Sequence, residues 1–118
     1  MKLYTIEKMK GRFAVSVESD IVKDAKGRKV PGYSKNPLPA TRAVEFCCGD
    51  SSKECFHLAE AVLADYLEKP ADQLGDMPHG FMTSFLMHHQ MKLGSRYEIS
   101  SDVIDRWARV WREIPSSV

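Results

Sequence analysis

Residues 41–69 constrain the fold more than any other part of this chain. They read as a short apolar strand, a Gly-Asp-Ser-Ser turn and then a helical run from Glu54 to Glu68. At about 100° per residue, Cys55, Leu58, Ala59, Val62, Leu63 and Tyr66 fall on one side, flanked by Phe56 and Leu67. His57, Glu60, Ala61, Ala64 and Glu68 fall on the other. An apolar arc of roughly half the cylinder is wider than the ~100° stripe of a surface helix and calls for more than one packing neighbour, so this is the expected central helix. Ser51 and Glu54 have the spacing of a capping box at its start, and Pro70 marks its end.

Around that helix the chain divides into strands before it and helices after it. Residues 3–9 and 12–18 read as two strands joined through Lys10-Gly11, with Phe13, Val15 and Val17 alternating against polar neighbours as in a sheet with one buried face. Residues 19–40 are expected to be an irregular loop broken by Pro31, Pro37 and Pro39, in which Ile21-Val22 and Lys29-Val30 can pair as a small ribbon around Gly27. Residues 41–48 resume strand character, with Val44, Phe46 and Cys48 on one side. After Pro70, residues 70–74 suit one further helical turn.

A second helix is expected from Asp76 as cap, with Pro78 just inside, to a stop at Gly94. Phe81, Met82, Phe85, Leu86, His89 and Leu93 share one face. Met87 and Met91 lie opposite, either as an adaptable contact surface or as a second buried face. Residues 96–99 read as extended, and Ser100 or Ser101 as the cap of a last helix. That helix sets Val103, Ile104, Trp107, Val110, Trp111 and Ile114 against a face with the ion-pair spacings Asp102–Arg106 and Asp105–Arg109. Residues 115–118 read as a frayed tail. The expected fold is therefore α+β, a single domain over 1–118 with a small antiparallel sheet of three or four strands covered on one face by three helices.

Composition bounds the function classes. With 43% hydrophobic and 28% charged residues the chain is of soluble globular type, and no apolar run reaches the ~20 residues of a membrane span. The N-terminus lacks the apolar core of a signal peptide, and three cysteines fit a reducing compartment, so the expectation is cytoplasmic with no membrane partner. Net charge is +1, but residues 1–42 hold ten Lys or Arg against four acids, whereas residues 43–91 hold two against eight. The basic third can meet an acidic partner, nucleic acid, or the chain's own acidic middle.

No constellation points to catalysis. Cys47, Cys48, Cys55 and His57 are the nearest approach to a metal cluster, with Cys47, Cys55 and His57 the candidates, yet they match no closed zinc spacing, consecutive strand residues such as Cys47 and Cys48 point to opposite faces, and Cys55 and His57 diverge by about 200° on a helix. A Cys/His enzyme would need a distant histidine brought in by the fold. No phosphate loop is present, and the sequence calls for no cofactor. Candidate partner-binding residues are Lys23, Lys26, Arg28, Lys29, Tyr33 and Lys35 in the basic loop, together with Met87 and Met91.

Val44-Glu-Phe46, the Gly-containing turn, Leu58-Ala-Glu-Ala-Val-Leu-Ala-Asp-Tyr-Leu67 and Tyr97-Glu-Ile-Ser-Ser-Asp-Val-Ile-Asp-Arg-Trp107 together resemble a small bacterial and phage domain family of unknown function. The likeness covers roughly residues 41–107, and Cys47-Cys48-Gly49-Asp50-Ser51-Ser52 stands where that family has a Gly-rich turn. It implies an accessory protein of a phage or other mobile element in a bacterial cytoplasm, and it brings no catalytic residues. The leading expectation is thus a non-enzymatic protein that binds and modulates, or inhibits, a host protein, with homo-oligomerisation open. The alternatives are a nucleic-acid-associated protein using the basic third, and a Cys/His enzyme.

Overall fold

The two alternating N-terminal runs form a hairpin, β1 (Lys2–Met9) and β2 (Arg12–Lys23), closed by a two-residue turn in which Gly11 takes a φ of 77°. The structure, a computed structural model, describes residues 1–113. Tyr4 pairs with Val17 and Ile6 with Val15, so the strands turn the same alternate residues to one face, where Tyr4, Ile6 and Val15 are buried. A third strand, β3 (Lys29–Pro37), pairs with β2, and a fourth, β4 (Arg96–Ser100), pairs with β1. The sheet is antiparallel throughout, in the order β3-β2-β1-β4.

Three helices complete the α+β fold: α1 (Lys53–Leu67), α2 (Met77–Phe81), which continues as a π-helical turn over Met82–Leu86, and α3 (Ser101–Glu113). Leu58, Val62 and Leu63 of α1, Phe81, Leu86 and Ile104 form one buried cluster with Tyr4, Ile6, Val15 and Ile99 of the sheet. The opposite sheet face is polar and carries the ion pairs Arg96–Glu7 at 3.3 Å and Lys35–Glu18 at 3.6 Å.

Several expectations need correction. Residues 19–40 are not an irregular loop: β2 runs on to Lys23 and β3 returns beside it, with Val22 opposite Val30 as the ribbon pairing requires. The fourth strand is β4, whereas residues 41–48 form no strand. The backbone N–H groups of Thr41 and Arg42 donate to the His57 ring instead of to a ladder.

The N-cap of α1 is Ser52, whose hydroxyl accepts from Cys55 N–H at 3.2 Å, not a box of Ser51 and Glu54. Asp76 makes no side-chain cap. The second helix ends at Leu86 rather than near Gly94, because the turn widens, with Met87 N–H bonding Met82 C=O, and Leu86 C=O is taken by Gly49 N–H. Leu93, expected on its buried face, is 68% exposed, and Val110 of α3 is 57% exposed. Asp105 and Arg109 do pair, at 2.9 Å. Ile114 and the tail at 115–118 lie outside the described residues.

Candidate docking surface

Beyond Ser19 the β2–β3 hairpin forms an arm past the C-terminal end of α1. A bulge between Ser19 and Ile21 bends it, and the Ser19 hydroxyl fills the gap by accepting from Ile21 N–H at 3.1 Å and donating to Ile21 C=O at 2.9 Å. Asp24 builds the tip. Its Oδ1 accepts from the N–H groups of Lys26 and Arg28, both at 2.9 Å, and its Oδ2 from Arg28 Nε at 2.9 Å. Gly27 supplies the left-handed residue of the turn, at φ 79°. These Arg28 bonds, the backbone one foremost, hold the Asp24 carboxyl below its usual range.

The arm carries five of the sequence candidates, and a sixth, Lys35, lies at its base opposite Glu18. Lys26 and Arg28 lie at the tip, Lys23 and Lys29 flank it as a cross-strand pair, and Tyr33 and Lys35 lie on the open sheet face beside Glu18. Tyr33 is 71% exposed and Ile21 47%. Three of the five cations are matched within the chain: Arg28 by Asp24, Lys29 by Glu68 at 3.1 Å, and Lys35 by Glu18. Lys23 and Lys26 form no ion pair among the described residues.

Between the arm and the end of α1 lies a groove of about 390 Å³, bounded by Ile21, Val22, Lys23 and Lys29 on one side and Asp65 and Glu68 on the other. Its floor is ordered by Asp65, whose Oδ2 accepts from Tyr4 Oη at 2.7 Å and Lys2 Nζ at 3.1 Å. Burial, and then the bond to Asp65, raises the Tyr4 hydroxyl far above the ordinary tyrosine range, so it stays a donor.

No protein-family model matches the chain, and neither curated proteins nor solved structures give a match.

Met87 and Met91 are half-buried and packed against the core. Met87 follows Leu86, whose C=O accepts from Gly49 N–H, and Met91 follows Gln90, whose Nε2 donates to Gly49 C=O, so both lie at the N-terminal end of α1, whereas Lys29 meets Glu68 at its C-terminal end. A helix of 15 residues separates these ends by about 22 Å. The fold therefore does not bring the methionines and the basic arm onto one surface.

The cysteine and histidine candidates are occupied otherwise. His57 is fully buried, its Nε2 accepting from Thr41 N–H at 3.0 Å and Arg42 N–H at 3.2 Å, and its Nδ1 lying 3.3 Å from Glu45 C=O. That pattern fixes a ring protonated on Nδ1 alone and leaves no lone pair for a metal. Burial raises the thiols of Cys47 and Cys55 and pushes that of Cys48 up to about 12, so none is a ready thiolate. Among the described residues no group of three or more His, Cys, Asp or Glu is placed to hold a metal ion. No helix among them is long and apolar enough to cross a membrane.

Sequence reasoning missed the role of the supposed polar face of α1. There Glu60, 4% exposed, accepts from the Thr41 hydroxyl at 2.7 Å and from Arg42, while His57 holds the adjacent backbone. The small residues Ala61 and Ala64 on that face were the available signal, since they permit a chain segment to approach closely.

Proposed function

We propose that this chain is a non-enzymatic binding protein that docks a partner protein through the β2–β3 arm. The likeness of residues 41–107 to a phage and bacterial domain family supports reading it as an accessory factor of a phage or other mobile element, which binds and modulates a host protein in the bacterial cytoplasm. The observation that carries the choice of a protein over nucleic acid is the pairing of Arg28, Lys29 and Lys35 with carboxylates of the same chain. Affinity for a phosphate backbone comes from neutralised phosphates and released counterions. Cations already neutralised at home contribute little to it, and Tyr33 is the arm's one aromatic, which is no stacking series. An arm with an exposed tyrosine, an exposed Ile21 and two lysines, Lys23 and Lys26, that form no ion pair among the described residues has instead the composition of a protein contact.

The test is capture from bacterial lysate, with and without nuclease, by the wild type and by a Lys23→Ala, Lys26→Ala, Tyr33→Ala variant, beside direct binding of random duplex and single-stranded DNA at two salt concentrations. These three side chains hold none of the arm's internal ion pairs, so the variant keeps its shape. A nuclease-resistant partner lost in the variant is the expected result. Tight DNA binding that falls steeply with salt and is lost in the variant would overturn the protein reading.

A further inference from the structure

β3 accompanies only part of β2. Their ladder ends where Pro37 lies opposite Ser16, although β2 begins at Arg12. One further bond follows, from Leu38 N–H to Val15 C=O at 3.0 Å, and Val15 N–H returns none to Leu38. Alternate residues of an antiparallel strand direct their backbone groups to the same side, so Phe13, like Val15, points its N–H and C=O away from β1. The register agrees: Lys8, opposite Phe13, gives its own N–H to Ser95 and its C=O to Gly94 on the far side of β1. Leu38 occupies the place beside Val15, which is buried, so the open edge at the start of β2 is short and presents the N–H and C=O of Phe13.

A cavity lies on each side of this edge. On the open-face side is a space of about 660 Å³ bounded by Met9, Ala14, Pro37 and Phe46 with Arg12 and Lys35 at its rim. On the helix side is one of about 400 Å³ whose lining includes Phe13 and Phe46, three carboxylates, Glu45, Asp50 and Glu54, and two cations, Lys8 and Arg12. Asp50 is engaged by Ser52 N–H, and Lys8 lies over the Phe13 ring at 4.6 Å. Glu45 and Glu54 have no ion pair among the described residues. An extended chain laid beside β2 sends successive side chains to the two faces, one set into each cavity.

We propose that this edge is a strand-addition site for an extended segment of a partner protein whose cationic side chains alternate with apolar ones. The residue opposite Phe13 exchanges two backbone bonds with it and turns its side chain to the helix side, toward Glu45 and Glu54, so that residue is the cationic one. Its neighbours turn apolar side chains toward Met9, Ala14 and Pro37. A second copy of this chain does not meet those demands, because its own edge would bring Arg12 to the apolar side and Phe13 and Val15 to the acidic side. The site lies at the other end of β2 from the arm, and it stands independently of the function proposed for the arm.

The experiment uses the intact, isotope-labelled protein and the peptide acetyl-Lys-Leu-Lys-Leu-Lys-amide, with two variants N-methylated at the lysines or at the leucines. The expected result is saturable shifting of the Phe13 amide resonance. N-methylation at lysine should weaken binding by at least about tenfold, and at leucine by less than about twofold. A Glu45→Gln, Glu54→Gln variant, altered only at side chains without ion-pair partners, should weaken binding of the unmodified peptide. Equal effects of the two methylation patterns, full affinity in that variant, or no saturable shift up to about 1 mM peptide would overturn the proposal.

Discussion

Arg42 grips Glu60 at two points, Nε to Oε1 at 2.8 Å and Nη2 to Oε2 at 3.0 Å, joining a half-exposed guanidinium to a carboxylate side chain only 6% exposed. With the His57 ring accepting the N–H groups of Thr41 and Arg42, this pair fastens the segment after β3 along α1. It explains how an α-helix with His and Glu on its supposedly wet side comes to be buried there.

The Arg42 guanidinium foremost, and then the Thr41 hydroxyl, hold the Glu60 carboxyl below its ordinary value of 4.5. The native state therefore binds this proton less readily than the unfolded chain. The pair's contribution is complete above the ordinary carboxylate value and is lost as pH falls through the depressed native one. Urea midpoints measured from about pH 7 to about pH 3 should show a smaller acid loss in Glu60→Gln than in the wild type. At neutral pH the variant should be about 1.5–2 kcal/mol less stable, at the low end for a charged hydrogen bond because Arg42 is half exposed.

His57→Ala removes the acceptor of two backbone N–H groups. Each group left unsatisfied costs about 1–3 kcal/mol, and water entering the gap recovers part of that. A net loss of about 3 kcal/mol is expected in denaturant unfolding. Hydrogen exchange of the Thr41 and Arg42 amides should rise by more than the global change accounts for.

Gly80 lies against Trp111, where an added Cβ would come within 2.4 Å of the ring carbon Cζ3. Gly80→Ala should therefore destabilise by about 1–3 kcal/mol, as overpacking does. The same substitution in a Trp111→Leu background should cost less than about half as much, since the two residues share one space. Additive effects in a double-mutant cycle would contradict the contact.

Tyr4→Phe removes the 2.7 Å bond to Asp65 while keeping the buried ring, for an expected loss of about 1.5–3 kcal/mol. The native state keeps the Tyr4 proton at pH values where an unfolded tyrosine, with its ordinary value of 10.0, gives it up. Stability from this residue is thus full below that value and falls as pH rises above it. Thermal melts above about pH 10 should decline less steeply in Tyr4→Phe.

Local pattern carried much of the architecture. Alternation at Phe13, Val15 and Val17 located β2, the wide arc at Leu58, Val62 and Leu63 located α1, and the Ile21-Val22 and Lys29-Val30 ribbon is where the arm pairs. What failed depended on distant partners. Val44 and Phe46 alternate like a strand, yet the backbone of Thr41 and Arg42 is taken by His57, sixteen and fifteen residues on. The helix expected through Leu93 is cut at Leu86 by Gly49, which periodicity within residues 77–93 does not report. For the candidate site, the arm's lysines were legible as a cluster and their matching by the chain's own acidic middle was one of the open readings, but the individual partners, Glu68 from that middle and Glu18 from β2, were not.

The interior position of β1 sets an order of events during synthesis. Its partner on one side, β2, follows at once, but on the other Leu3 pairs with Ser100 and Tyr4 with Ile99. The hairpin can close while the chain is still emerging from the ribosome, and it must then wait through residues 24–95 with a flank of the central strand uncovered. Such long-range pairing slows folding and leaves strand edges open to other chains. Substitutions that weaken β4 should accordingly lower the yield of folded product more than the equilibrium stability of the molecules that do complete the sheet.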